Sequence, residues 1–421
     1  MQIVDVVTVP VRAGFFTDDQ AAIRANAPHN GFTYAGEPVT PGFRSIRMPG
    51  EAVSVLLVLD DGQVAHGDCA AVQYSGVAGR DAVMTSELVA RSIADHVAPV
   101  LVGRTVDDFR RMADEVESLR SDGRPLHTAV RYGVTQALLD ATARDRGVTM
   151  AETVRDDFQT GSALTPVPLF VQSGNDRYTN VDKMILKRAD SLPHGLINSV
   201  AALGRHGELL ADYVVWVRDR ILELRPDAAY VPRLHFDVYG TVGLEFGADT
   251  ARMADYLASL GERAAPFRLR VEHPVDAGSR DAQIDALCRL RSALRERGSS
   301  VEIAADEWCN TLDDIRAFTQ AGAADVIHVK TPDLGGVQNT VAALLLVRDA
   351  GLAAYCGGTC NETDRSAQVC AHIAMACDAD QVLARPGMGV DEGMMVVGNE
   401  MLRAAALVAR RARLDRAGRA A

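Results

Sequence analysis

Asp237, Glu272, Asp306 and Lys330 each close an apolar run, RLHFD, FRLRVE, VEIAAD and VIHVK in turn. Each run reads as a buried strand, apolar and β-branched until the charge arrives. Successive members lie roughly 24–35 residues apart, the length of one strand plus one helix in a (β/α)8 barrel. The carboxyl ends of barrel strands converge on one mouth, so three carboxylates and an amine would face a common point. Three crowded carboxylates repel one another unless a cation sits among them. All-oxygen donors suit Mg2+, a hard ion. One charge after an apolar run is an ordinary solvated strand end or half of an ion pair. Four on consecutive strands point to a site.

A cation held by Asp237, Glu272 and Asp306 would bind a substrate carboxylate and spread negative charge developing on it, which makes removal of a neighbouring proton feasible. A base is still required. Lys330 is placed for that role if its pKa falls to about 7–8, and a nearby dication with partial burial pushes it that way. Glu307, directly after Asp306, could instead pair with Lys330. His194 ends the short run SLPH, which puts an imidazole at the same mouth as an opposing acid or base, or leaves it a loop residue after Pro193.

The elements that would position these groups alternate from about residue 165. VPLFVQ, SLPH, RLHFDV, FRLRVEHP, VEIAADE, VIHVKTP, AAYCGG and QVLARPG read as strands, with amphipathic segments such as GELLADYVVWVRDRILELR and AQIDALCRLRSALRERG between them. Such alternation also describes a doubly wound sheet; charges ending consecutive strands favour a TIM-type barrel over residues 161–421. Residues 1–160 read as α+β. QIVDVVTVPVR alternates as a strand, and EAVSVLLVLDDGQVAHGDCA reads as a hairpin turning at Asp61-Gly62. Helical patterns follow through HTAVRYGVTQALLDATARDRG. Residues 14–49 show no periodicity and are expected to be a lid or binding loop. VRDDFQTGSALTP is the expected linker, and ARRARLDRAGRAA a fraying terminal helix.

The chain has 421 residues, 48% of them apolar and 24% charged, enough for a barrel plus a second domain. A net charge of −12 argues against nucleic acid or an anionic membrane as partner. MQIVDVVTVPVRAG lacks the layout of a signal peptide, and no apolar run reaches the ~20 residues of a membrane span. The seven cysteines fit neither a disulfide framework nor a zinc site, so a reducing cytoplasm is expected.

VKTPDLGG (329–336), AYCGGTCNET (354–363) and RPGMGVDEGMM (385–395) closely resemble methylaspartate ammonia-lyase, of the enolase superfamily. GDCAAVQYSG (67–76), HTAVRYG (127–133) and VQSGNDRYTNVDKMILKRADSLPH (171–194) carry the resemblance through the first half. It implies an α+β capping domain on the barrel, a homodimer, Mg2+ with a monovalent cation (usually K+), and reversible loss of ammonia from L-threo-3-methylaspartate to give mesaconate. Asp237, Glu272 and Asp306 would be the metal ligands. Lys330 would take the C3 proton of the (2S,3S) substrate, with His194 on the opposite face. Gln73, Gln172, Thr359 and Cys360 match positions that hold the substrate's amino and carboxylate groups, and Phe170, Tyr355 and Leu383 the pocket wall. Where the family has glutamine two residues before its base, donating to the distal carboxylate, this chain has His328. Where glycine follows the second metal ligand it has His273, expected to alternate outward. The residues alone leave two rivals: another enolase-superfamily reaction such as racemisation or dehydration, and a catalytically silent binding barrel.

Overall fold

The computed structural model describes residues 1–25, 27–76 and 79–420. Eight parallel strands close a barrel in sequence order. Strands one to eight are Leu169–Phe170, Ser191–His194, Arg233–Asp237, Leu269–Glu272, Glu302–Ala305, Val326–Val329, Ala353–Cys356 and Gln381–Leu383, each followed by at least one helix. Every expected barrel strand is therefore present. The shortness of the strands makes side-chain parity decisive. Leu234, Phe236, Val271, Ile303, Ile327 and Val329 point outward into the apolar core under the helices. Residues of the opposite parity point into the barrel.

Three layers fill that interior. At its closed end, buried Arg270 reaches Glu302 at 2.9 Å and Asp380 at 2.8 Å, and Arg233 joins Asp380 at 3.1 Å. Above lies a small apolar cluster of Phe170, Ala304, Val326, Tyr355 and Leu383. The charged strand ends occupy the mouth. A buried charge survives only when paired, which the lowest layer satisfies with mutual ion pairs.

Before the barrel, Ile3–Asp18, Arg47–Leu59 and Val64–Cys69 form an antiparallel sheet in that order. Val53, Val55, Leu57 and Leu59 alternate inward against the helix Thr128–Asp145. The hairpin turns at Asp61-Gly62 as expected. Two expectations are corrected. The first strand continues to Asp18, past the expected boundary at residue 12, because an irregularity between Arg12 and Phe16 resets the register and Phe16 then pairs with Pro49. The start of the expected linker is instead the end of a helix, Met150–Phe158. Its signature is a capping box in which Thr149 and Glu152 each accept the other's backbone N–H. The basic tail is helical through Ala420, and Ala421 lies outside the described residues.

Helix and sheet meet without side chains between them at Gly67 and Gly133. A Cβ on Gly133 would lie 2.4 Å from the Cys69 amide nitrogen. Gly133→Ala gains up to about 1 kcal/mol of helix propensity, but backbone cannot yield as a flexible side chain can, and overpacking costs about 1–3 kcal/mol. The expected outcome is a lower urea midpoint with an unchanged m-value. Equal or higher stability would show that the sheet shifts freely.

Candidate active site

In a ring of eight, strands two and six stand opposite one another. His194 ends strand two and Lys330 follows strand six; Asp237, Glu272 and Asp306 come from strands three, four and five, on the arc between them. Register pairs Asp237 directly with Glu272. The three carboxylates are 3%, 1% and 7% exposed, so each is almost wholly removed from water. Parity alone would send His194 outward, since Leu192 lies in the outer core. Instead His194 takes φ 64, and its Nε2 lies 3.5 Å from Asp237 Oδ2. Tyr239, His273 and Trp308, after the next three strands, also have positive φ. Backbone strain is thus present at the mouth, after four successive strands.

Glu272 lies between two imidazoles. His328 Nδ1 is 2.7 Å from Oε1, and His235 Nε2 is 2.8 Å from Oε2. The Gly358 amide donates to His328 Nε2 at 3.3 Å, and Gln381 Nε2 bonds His235 Nδ1 at 2.9 Å. In the His235 ring Nδ1 accepts, leaving Nε2 to face Glu272; the neutral form of His328 is arranged likewise, whereas its charged form gives up the Gly358 contact. The same His328 Nδ1 is 3.0 Å from Asp306 Oδ1, and the ring stacks on Tyr355 at 4.3 Å. A Cβ on Gly357 would fall 1.8 Å from His328 Nε2, so no side chain fits there.

Charge decides the protonation of these groups. Burial pushes Asp237 well above the usual carboxylate range, and Glu272 and Asp306 add to the rise. Burial acts the same way on Asp306, but Lys330 and His328 outweigh it and hold Asp306 well below that range. Burial would lower His328, yet Asp306 and Glu272 raise it to about 9. His194 falls to about 4, chiefly through burial, and is neutral at neutral pH. Glu307, opposed by burial, is drawn down to about 2 by Arg80 and Lys330. Lys330 corrects an expectation. Its Nζ is 2.7 Å from Asp306 Oδ1 and 3.6 Å from Glu307 Oε1, and these carboxylates outweigh burial and raise its pKa above that of free lysine. A cation ligated by Asp306 would take up the nearer of these two charges, which otherwise acts on the amine.

The tightest set of potential ligands among the described residues is Glu272, Asp306 and His328, within 4.8 Å of one another; the expected set has Asp237 in place of His328. An all-carboxylate set is harder and better suited to Mg2+. The elevated pKa of Asp237 reflects burial first and then the negative charge of Glu272 and Asp306, and a dication would relieve both. His328 Nδ1–H between two carboxylates is a weaker answer to the same surplus. The residues therefore fit Mg2+ on Asp237, Glu272 and Asp306.

The substrate-side residues ring the other arc. Phe170 and Tyr355 lie edge to face at 5.5 Å, and Leu383 joins them in the apolar cluster beneath the mouth, a floor more than a wall. Gln172 is buried and donates to the Gly387 carbonyl at 2.8 Å. Buried Thr359 and Cys360 follow strand seven. Gln73 arrives from the N-terminal sheet's last connection, with its Nε2 on Asp18 at 2.9 Å and its Oε1 accepting from Cys360 Sγ at 3.4 Å. His273 is buried, and its field helps hold Asp306 and Glu307 down. Sequence reasoning passed over His235, although period-2 parity with Asp237 in RLHFD points it inward. It also missed Arg80, Asp18 and the fully buried Glu362–Arg385 pair at 2.6 Å, for which no local pattern exists.

A family model described as the methylaspartate ammonia-lyase N-terminus matches residues 1–159, and one of its C-terminus matches residues 162–410. The chain is 54% identical over 412 residues to methylaspartate ammonia-lyase of Clostridium tetanomorphum, covering 98% of this chain and all of that one. The crystal structure of β-methylaspartase from that organism, a Mg complex, superposes with a TM-score of 0.94 over 98% of this chain and 100% of that one, at 54% identity. Methylaspartate ammonia-lyase of Citrobacter amalonaticus, solved containing (2S,3S)-3-methylaspartic acid, does so with a TM-score of 0.95 at 51% identity, covering 97% and 100%.

Protons compete with a cation for Asp237. Because its pKa is raised, Mg2+ affinity is expected to fall as pH is lowered, beginning above the ordinary carboxylate range. Isothermal titration calorimetry between about pH 5 and 8 reads this directly, and a flat profile would remove Asp237 from the ligand set. Asp306→Asn should weaken binding by more than the roughly 10–100-fold typical of losing an outer-shell partner, with the far-UV spectrum unchanged.

Proposed function

The chain belongs to the methylaspartate ammonia-lyase family, and from that premise we propose that it eliminates ammonia reversibly from L-threo-3-methylaspartate to give mesaconate. The observation that carries this reading is the pair of proton-transfer groups on opposed strands, Lys330 and His194, with three buried carboxylates on the arc between them. Asp237, Glu272 and Asp306 would hold Mg2+, which when bound supplies positive charge to the carboxylate beside the reacting carbon.

In its neutral form, which a cation taking up the Asp306 charge would favour, the Lys330 amine takes the C3 proton of the (2S,3S) substrate. The C3–H electron pair becomes the C2–C3 double bond, and the C2–N bond breaks with its pair leaving on nitrogen as ammonia. His194 is neutral at neutral pH because burial depresses it, so it can act as a base toward the (2S,3R) epimer from the other face. Gln73, Gln172, Thr359 and Cys360 hold the amino and carboxylate groups over the floor of Phe170, Tyr355 and Leu383. His328 Nδ1 is committed to Glu272 and Asp306, so it orders those carboxylates and presents its ring edge where the family's amide donates. Residues 1–160 serve as the cap. A K+ requirement, a homodimer and a cytoplasmic setting without nucleic-acid or membrane partners complete the proposal; among the described residues no helix is long and apolar enough to cross a membrane.

Absorbance at the mesaconate band together with ammonia release, with and without Mg2+, tests the reaction itself. Release of another product, as in racemisation, would replace this reading. Lys330→Ala should lose roughly 10²–10⁴-fold in turnover of the (2S,3S) isomer, and His194→Ala chiefly that of the (2S,3R) isomer. Equal losses for both isomers in both variants would defeat the two-face assignment. His328→Gln should keep most activity and move the pH profile of kcat/KM, which reports ionisations of the free enzyme; an unmoved profile with unchanged KM would make His328 a packing residue.

A further inference from the structure

We propose that Arg80, reaching down from the cap, positions the base: it holds Glu307 against Lys330 and clamps the turn that begins at Lys330. The inference rests on Lys330 being that base. The Arg80 side chain is only 4% exposed. Its Nη2 donates to Glu307 Oε2 at 2.8 Å and to Asn310 Oδ1 at 2.9 Å, and its Nε donates to Asp333 Oδ2 at 2.8 Å. The other oxygen of Glu307 lies 3.6 Å from Lys330 Nζ. Asp333 sits in the short helical turn Thr331–Leu334, and its backbone N–H donates to the Lys330 carbonyl at 3.1 Å. One guanidinium therefore grips the segment after strand five and the turn after strand six, on either side of the amine.

Two features separate this from simple fastening of the cap. Glu307 is shared, one oxygen to Arg80 and one toward Lys330, so the orientation of the carboxylate is set by Arg80. Asp306, the closer partner of Lys330, is also a proposed cation ligand; a cation there would take up its charge, which leaves Glu307 as the carboxylate whose charge is free to hold Nζ. A planar fork with donors on two edges is needed for this grip, which a lysine cannot reproduce. None of the residues proposed to hold substrate is touched by Arg80 in these contacts, so its loss should appear in the chemical step.

The test compares wild type, Arg80→Ala and Arg80→Lys on 3-methylaspartate, with and without millimolar guanidinium chloride, alongside the crystal structure of Arg80→Ala. The expected result is a kcat lower by about 10- to 100-fold, the scale of a misplaced catalytic group, with KM little changed. Guanidinium should recover part of the kcat in Arg80→Ala and none in Arg80→Lys, and Glu307 should turn away from Lys330 in the crystal. An unchanged kcat, a loss confined to KM, or Glu307 and Lys330 in their original places would overturn the proposal. Should Arg80→Ala not fold, Glu307→Gln breaks the same link from the other side and should lose kcat without guanidinium rescue; full kcat there would equally overturn it. If wild type forms no mesaconate, the reading of the reaction fails, and the crystallographic outcome alone decides whether Arg80 places Lys330.

Discussion

Four carboxylates, those of Asp237, Glu272, Asp306 and Glu307, are brought into one barrel mouth, the first three almost wholly removed from water and Glu307 half-buried. Burial opposes every one of these charges, and each carboxylate raises the cost of its neighbours. The arrangement stands only because positive or hydrogen-donating groups are supplied from all sides: His235 and His328 to Glu272, Lys330 to Asp306, Arg80 to Glu307. Asp237 is the one left without a full positive partner among these contacts, and burial, with the charges of Glu272 and Asp306, raises its pKa. A dication would complete the balance. Metal affinity, the protonation of the amine and the burial of Arg80 are thus consequences of one electrostatic requirement.

The barrel meets that requirement through its interior layering. A network of paired charges closes the bottom, an apolar and aromatic layer separates it from the mouth, and His235, parallel to Phe170 at 4.2 Å, links that layer to Glu272. The apolar floor keeps the dielectric low beneath the carboxylates, which strengthens their pairing and would strengthen any interaction with substrate. The same burial makes an unpaired charge costly, so an error in the second layer is felt in the first.

Two further buried links tie the N-terminal unit to the mouth. Arg47 donates to both oxygens of Asp18 at 2.8 and 2.7 Å, and Asp18 in turn holds Gln73. Glu362, paired with Arg385, accepts from the Thr359 amide at 3.0 Å and from Tyr132 on the long N-terminal helix. The segment Gly357–Cys360 is therefore held from beneath by a fully buried ion pair and from above by Gln73. With Arg80 over Glu307, the cap reaches the site at three places on different sides of the barrel.

Much of this was legible in the residues. Apolar runs ending in charge, at the spacing of a strand and a helix, determine eight strands and the end of the barrel at which Asp237, Glu272, Asp306 and Lys330 gather, because period-2 alternation and chain direction are local properties. Parity also determines that His328 shares the inner face with Lys330. The capping box at Thr149 is equally local. What only tertiary structure decided are the features that need two distant segments or a backbone departing from its regular period. His194 turns toward the mouth through a positive φ that no alternation rule contains. The first strand continues through an irregularity set by its partner strand. Arg80 acquires meaning only when Glu307 and Asp333, more than two hundred residues away, are folded against it. Charge pairing across such distances is a property of the assembled interior, where low dielectric makes each contact matter, and the linear chain carries no period or spacing that marks it.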